Sequence, residues 1–228
     1  MDSSPRDIEK VALLREPIRR RLFSIVRESD RPVSRDEAAR AVGVSRSLAA
    51  FHLDRLADAG LLEVEYRRLS GRTGRGAGRP AKLYRASEER VAIAVPPTRY
   101  ALAGDLLIEA LESKRPGRST EDAVREASTA HGRALAEELR GTMGARSGMG
   151  RVREAVERLG FEPERSGDVV RLRNCPFHEL VERHPGLVCG LNHAFLTGLV
   201  DGLGDGTVRA EADPEEGFCC VRLRREET

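Results

Sequence analysis

The residues best suited to chemistry are four cysteines, all late in the 228-residue chain: Cys175, Cys189, Cys219 and Cys220. Histidines are interleaved with them, in the runs Cys175-Pro176-Phe177-His178 and His184-Pro185, and at His193, four residues beyond Cys189. Thiolate and imidazole together select zinc or an iron–sulfur cluster. The candidate metal ligands are Cys175, Cys189, Cys219 and Cys220, with His178 as a possible fourth partner if only one of the last two cysteines takes part. No compact Cys-x-x-Cys pair is present, so the ligands must converge from separate elements. On a regular strand Cys219 would share a face with Val221 and Leu223, and Cys220 with Phe218 and Arg222, so alternation would send one of them into a site without saying which. The same thiols also suit a metal-free redox switch, or small apolar packing in a domain that binds an organic ligand. His178-Glu179 does not open a zinc-protease helix, because position 182 is Glu182 rather than histidine.

A second set of residues suits a polyanion. Residues 1–90 hold 20 Lys and Arg against 14 Asp and Glu, while residues 91–228 hold 19 against 23. A basic first part points to nucleic acid as its partner. Within it, Ser45, Arg46, Ser47, Ala50 and His52, with Arg55 a turn later, form the exposed start of a short helix of the kind a major groove accepts. Arg46 has the geometry for two hydrogen bonds to a guanine edge, and Ser47 for a base or a phosphate. From position 67 to 85 the chain holds Arg67, Arg68, Arg72, Arg75, Arg79, Lys82 and Arg85 and no acidic residue. Such a loop tracks the phosphate backbone or enters the minor groove. Gly71 to Gly78 lacks the Lys-Ser/Thr ending of a nucleotide-binding P-loop.

The elements that must position these residues follow from pattern. Pro17 opens a helix to about Ser29, with Ile18, Leu22, Ile25 and Val26 as its buried stripe. Ser34-Arg35-Asp36-Glu37 is a capping box for a short second helix carrying Ala38, Ala39 and Val42. Gly43 supplies a turn. Ser45 caps a third helix to about Ala59, with Ala49, Leu53 and Leu56 inward and Gly60 ending it. Residues 61–66 alternate as a strand, and Lys82 to Arg85 return as a second. Three helices and a hairpin with a Gly/Arg-rich tip predict a winged helix-turn-helix.

Further helices are predicted over Pro97–Ser113 and Thr120–Arg140, and from Arg151 to Leu159 after a glycine-rich linker at 141–150. A strand is predicted at Val169–Leu172, helical structure within Cys175–Gly204, and a last strand at Phe218–Leu223. Cys175 then follows a strand and Cys189 precedes a helix. No run reaches the roughly 20 apolar residues of a membrane span, and the polar start of the chain is neither a secretory nor a transit signal. The expected location is the cytoplasm.

The segments Val44-Ser45-Arg46-Ser47, His52-Leu53-Asp54-Arg55-Leu56 and Ala59-Gly60-Leu61-Leu62 resemble the ArsR-type winged-helix regulators. Gly78-Arg79-Pro80 with Tyr84 is similar to the wing of a subset that carries a C-terminal cysteine cluster and includes the iron–sulfur-sensing repressors of the Suf system. The match covers about residues 15–88 and is looser beyond. The resemblance implies a homodimeric bacterial repressor on an inverted repeat. This chain departs from the Suf-repressor pattern in lacking a further cysteine, with none between Leu191 and Phe218.

The expected architecture is α+β: a winged helix-turn-helix DNA-binding domain at 1–90, a helical dimerisation segment at 91–148 and a small α/β sensor domain at 149–228. The expected function is a transcriptional regulator, a repressor, whose cysteines hold an iron–sulfur cluster or zinc and bias the spacing of two recognition helices on a double-stranded operator. Pro97–Ser113 is the expected dimer contact. A different class, an enzyme domain tethered to DNA with Cys175 as nucleophile beside His178 and Glu179, lacks an identifiable activating group, and the chain reads as a non-enzyme.

Overall fold

A computed structural model describes residues 5–67, 80–144, 148–204 and 206–226. They divide into two bodies, one running to Ile93 and the other from Ala94, each with its own apolar core.

The first body contains α1 (Pro5–Leu13), α2 (Pro17–Arg27), β1 (Val33–Ser34), α3 (Arg35–Val42), α4 (Arg46–Asp58), β2 (Leu62–Arg67) and β3 (Ala81–Ala86). Helix α1 was not anticipated, because its charged sequence hides a short amphipathic turn pattern. Pro17 opens α2 as expected, and the Glu16 carboxylate accepts the Ile18 and Arg19 amides at 3.1 and 2.6 Å. The capping box of α3 forms on both sides: Ser34 Oγ accepts the Glu37 amide and Glu37 accepts the Ser34 amide. Gly43 sits at φ 77° between α3 and α4, a left-handed turn that a side chain would strain. Leu22, Val26, Ala38, Ala49, Leu53, Leu56, Leu62 and Tyr84 fill the core. The sheet order is β1-β3-β2, all antiparallel, with Leu62 opposite Ala86 and Arg67 opposite Ala81.

The second body contains α5 (Tyr100–Glu112), α6 (Thr120–Arg140), α7 (Gly148–Arg158), β4 (Pro163–Ser166), β5 (Val169–Leu172), α8 (His178–Arg183), α9 (Pro185–Leu203), β6 (Val208–Ala212) and β7 (Val221–Arg225). Its antiparallel sheet has the order β4-β5-β7-β6. Strands β4 and β6 were missed, since their charged residues mask the alternation. Helices α5 and α6 were expected to stand as a separate segment; they instead share one core with α7, α9 and the sheet, through Leu106, Val124, Val156, Leu172, Phe195 and Leu199.

Helix α9 is the spine of this body. It is long and apolar enough by composition to cross a membrane, contrary to the expectation that no such run exists. Its apolar side chains are spent on the core instead: Leu191, Phe195, Leu196, Leu199 and Leu203 are all buried. It meets α6 backbone to backbone. A methyl group on Gly198 would overlap the Thr129 carbonyl, and one on Gly132 would overlap the Phe195 carbonyl.

Candidate nucleic-acid interface and thiol cluster

Helix α4 is two-faced. Ala49, His52, Leu53 and Leu56 are buried, while Arg46, Ser47, Leu48, Phe51 and Arg55 are exposed and Ala50 is half-buried. Ser45 caps it, accepting the Leu48 amide at 3.2 Å, and lies 3.1 Å from the Ser47 hydroxyl. The first turn thus presents two hydroxyls at the positive end of the helix, where phosphate is favoured. Arg46 Nε donates to Asp36 of α3 at 2.8 Å, which leaves the two terminal nitrogens of the guanidinium for another acceptor.

Two expected contacts take other roles. His52 is 6 % exposed, and its Nδ1 accepts from Arg19 Nε at 3.3 Å. Burial lowers its pKa, with the nearby Glu16 carboxylate pulling the other way, so the ring is held neutral inside the core. A residue at position 52 falls on the inward stripe with Ala49 and Leu56, which is why it does not face outward. Lys82 is drawn to Asp54 of α4 at 2.6 Å. Asp54 also accepts from Arg35 at 3.0 Å and from the Tyr84 hydroxyl at 2.5 Å, and Arg35 Nε donates to the Tyr84 oxygen at 2.9 Å. Burial opposes ionisation of Asp54, but the hydrogen bonds from Lys82 and Tyr84 outweigh it and its pKa is lowered. This network ties α4 to α3 and to β3. Arg67 is exposed and pairs with Glu65 at 2.9 Å. Arg68, Arg72, Arg75 and Arg79 lie outside the described residues.

The second body brings all four cysteines together. Cys175 follows β5, and the Cys219 amide donates to the Leu172 carbonyl at 2.7 Å, fixing the turn before β7 against the end of β5. Cys189 lies inside α9 rather than ahead of it. Cys219 and Cys220 precede β7 instead of lying on a strand, so face alternation does not separate them. Their thiols form a hydrogen-bonded chain in the order Cys175, Cys219, Cys220, Cys189. All four are free thiols.

The chain of thiols sorts their protons. Hydrogen bonding to Cys219, then to Cys189 and Asn192, outweighs burial at Cys220 and brings its pKa down to about 6. Cys175 is lowered by its bond to Cys219, against burial. Cys219 is raised by its bonds to Cys175 and Cys220 and by burial, while burial, followed by its bond to Cys220, pushes Cys189 up to about 12.

Asn192 completes the group and was not found from sequence. It is fully buried one turn beyond Cys189, and its Nδ2 donates to Cys219 Sγ at 3.1 Å. Its Oδ1 is buried without a hydrogen-bond partner. The signal was a lone amide in an otherwise apolar helix, three residues from a cysteine. His178, by contrast, does not join the thiols. Its side chain is 71 % exposed and its Nε2 lies 3.3 Å from Glu182. The expected pairing of Cys175 with His178 is therefore absent, because α8 turns that ring to solvent.

Four soft donors fit zinc or an iron–sulfur cluster in chemical type. Among the described residues, however, no three His, Cys, Asp or Glu side chains are placed as a metal-holding group.

Comparison with known proteins addresses the first body. Residues 13–65 match the model of a helix-turn-helix domain. The match spans α2, α3 and α4 and most of β2. The chain matches no curated protein. The N-terminal part is thus a helix-turn-helix domain, which suggests a DNA-binding transcriptional regulator.

Proposed function

We propose that the protein is a winged-helix transcriptional repressor of the cytoplasm, with α4 as its groove helix and the β2–β3 hairpin as its wing. One observation carries this: α4, inside the matched helix-turn-helix segment, buries its apolar stripe and turns Arg46, Ser47 and Arg55 outward. The protein acts as a homodimer on an inverted repeat. Support for the dimer comes from α5, which buries Ala103, Leu106 and Ala110 yet leaves Ile108 and Leu111 55 % and 63 % exposed. Selection of bound duplexes from a random pool tests the reading. A recovered inverted repeat, with one base position per half-site relaxed in Arg46→Ala, is expected; no enrichment over random sequence refutes it.

The four-cysteine group is the sensor, with Cys175, Cys189, Cys219 and Cys220 as ligands of an iron–sulfur cluster or zinc. The fully buried Asn192 amide serves it as an outer hydrogen-bond donor. A cluster or metal would supply a charge and geometry change on loss, which the second body converts into altered operator affinity. Anaerobic purification followed by absorption spectroscopy and elemental analysis tests this. Iron and sulfide, or stoichiometric zinc, lost in Cys175→Ser, is the expected result.

A metal-free thiol switch is a second reading, favoured by the thiol-to-thiol hydrogen bonds and the lowered pKa of Cys220. Metal-free protein whose operator affinity changes on mild oxidation would select it.

A further inference from the structure

Among the described residues of the first body, two exposed large apolar side chains stand on α4: Leu48 at 37 % and Phe51 at 53 %. They are three residues apart and so occupy one face. That face is opposite the buried stripe of Ala49, Leu53 and Leu56. An arginine stands beside them: the Arg55 guanidinium lies 6.0 Å from the centre of the Phe51 ring, and Arg46 opens the same helix. The Phe51 ring also meets the buried His52 edge-on, with centroids 5.2 Å apart. A single exposed phenylalanine carries no meaning by itself. An aromatic ring braced between a core histidine and an arginine, with a leucine on the same face, is a small apolar patch beside a cation.

These neighbours set the occupant. Arg46 and Arg55 on this helix suit a polyanion, and the apolar patch beside Arg55 suits an apolar group on that polyanion. In the major groove DNA offers one such group, the C5-methyl of thymine. We propose that Phe51, backed by Leu48, reads a thymine methyl in each operator half-site. Arg46 lies five residues earlier on α4, about 7.5 Å along the helix axis, so the thymine falls within about two or three base steps of the base that Arg46 contacts. The proposal rests on α4 being the groove helix and adds to it the kind of base that α4 selects.

The test uses the full-length protein and the duplex recovered from random-pool selection. Each thymine is replaced in turn by uracil, which removes the C5-methyl and leaves pairing and every hydrogen-bonding group intact. At one thymine per half-site, uracil should weaken wild-type binding about three- to fivefold, the value of one buried methyl group. Phe51→Ala should bind thymine and uracil duplexes equally, while Arg46→Ala should keep the uracil penalty. Phe51→Leu retains an apolar side chain and should keep part of the penalty, which guards against a general loss of fold. A selected site at which no uracil weakens the wild type overturns the thymine assignment and leaves the groove helix standing. So does a Phe51→Ala protein that retains the full penalty, or one that changes oligomeric state with the penalty intact. Absence of any selected site removes the groove helix and this assignment together.

Discussion

Arg46 and Asp36 are both well exposed, so their 2.8 Å contact contributes little to stability, on the order of 0–1 kcal/mol. Its value is directional. A carboxylate beside the reading arginine also repels phosphate wherever the correct base is missing. Arg46→Ala should lose about 1–3 kcal/mol of operator binding and relax one base position. Asp36→Ala should bind random duplex more tightly and discriminate less, as read by titrating operator against competitor DNA. In the thiol group, Asn192→Leu keeps the branching and heavy-atom count but removes the donor to Cys219 and Cys220. Cys220 should then alkylate with a pH midpoint above its value of about 6, measured by iodoacetamide labelling and mass spectrometry. Arg46, Ser47 and the four cysteines were legible because rare or cap-positioned residue types announce themselves. Phe51, Leu48 and Asn192 were not, because an apolar residue off the core stripe, or an amide within one, acquires meaning only once the faces of the helix are known.

At the scale of elements, α3, α4 and the hairpin were readable from local signals: a capping box, a left-handed glycine, alternation in β2. These encode structure within a few residues, and the folded chain uses them as written. Ser34→Ala should cost the first body about 1 kcal/mol, by chemical denaturation. The Glu37 carboxyl is held down to about 2 by hydrogen bonds from Arg31 and then Ser34. Its contribution is therefore complete above its ordinary 4.5 and disappears as pH falls toward 2. Glu37→Gln should flatten that acid limb. His52 sets a second limb. Its pKa is below the usual 6.5, so the unfolded chain takes the proton more readily, and stability is full above about pH 6.5 and falls on acidification below it. Strands β4 and β6, and the turn holding Cys219 and Cys220, were misread because their structure is imposed by neighbours across the sheet, which no local window contains.

For the molecule as a whole, two separate cores predict that a fragment ending at Ile93 folds by itself. It should show a cooperative melt and bind DNA in a salt-dependent way, with weaker affinity than the full chain if dimerisation resides in α5. Sedimentation of the full chain should show a dimer, and Leu111→Glu should yield monomer. The boundary near residue 90 was anticipated from the end of the helix and hairpin pattern, with the change in charge beside it. The second boundary, at 148, was not a boundary, since a glycine-rich stretch signals a loop equally well within one core as between two.

The crossing of α6 and α9 has no side-chain cushion, because Gly132 and Gly198 set backbone directly on backbone. Leucine-lined contacts absorb small displacements by changing rotamer, but two touching main chains have no such slack. Cys189 and Asn192 ride on the first turns of α9, the same helix that carries Gly198. Any rearrangement of the thiols that shifts α9 must then shift α6 with it as one piece, as meshed teeth move a second wheel. Gly198→Ala should break this gearing as well as cost at least about 1–3 kcal/mol from overpacking, leaving a second body whose thiols still react but whose α6 amides no longer change hydrogen exchange when they do.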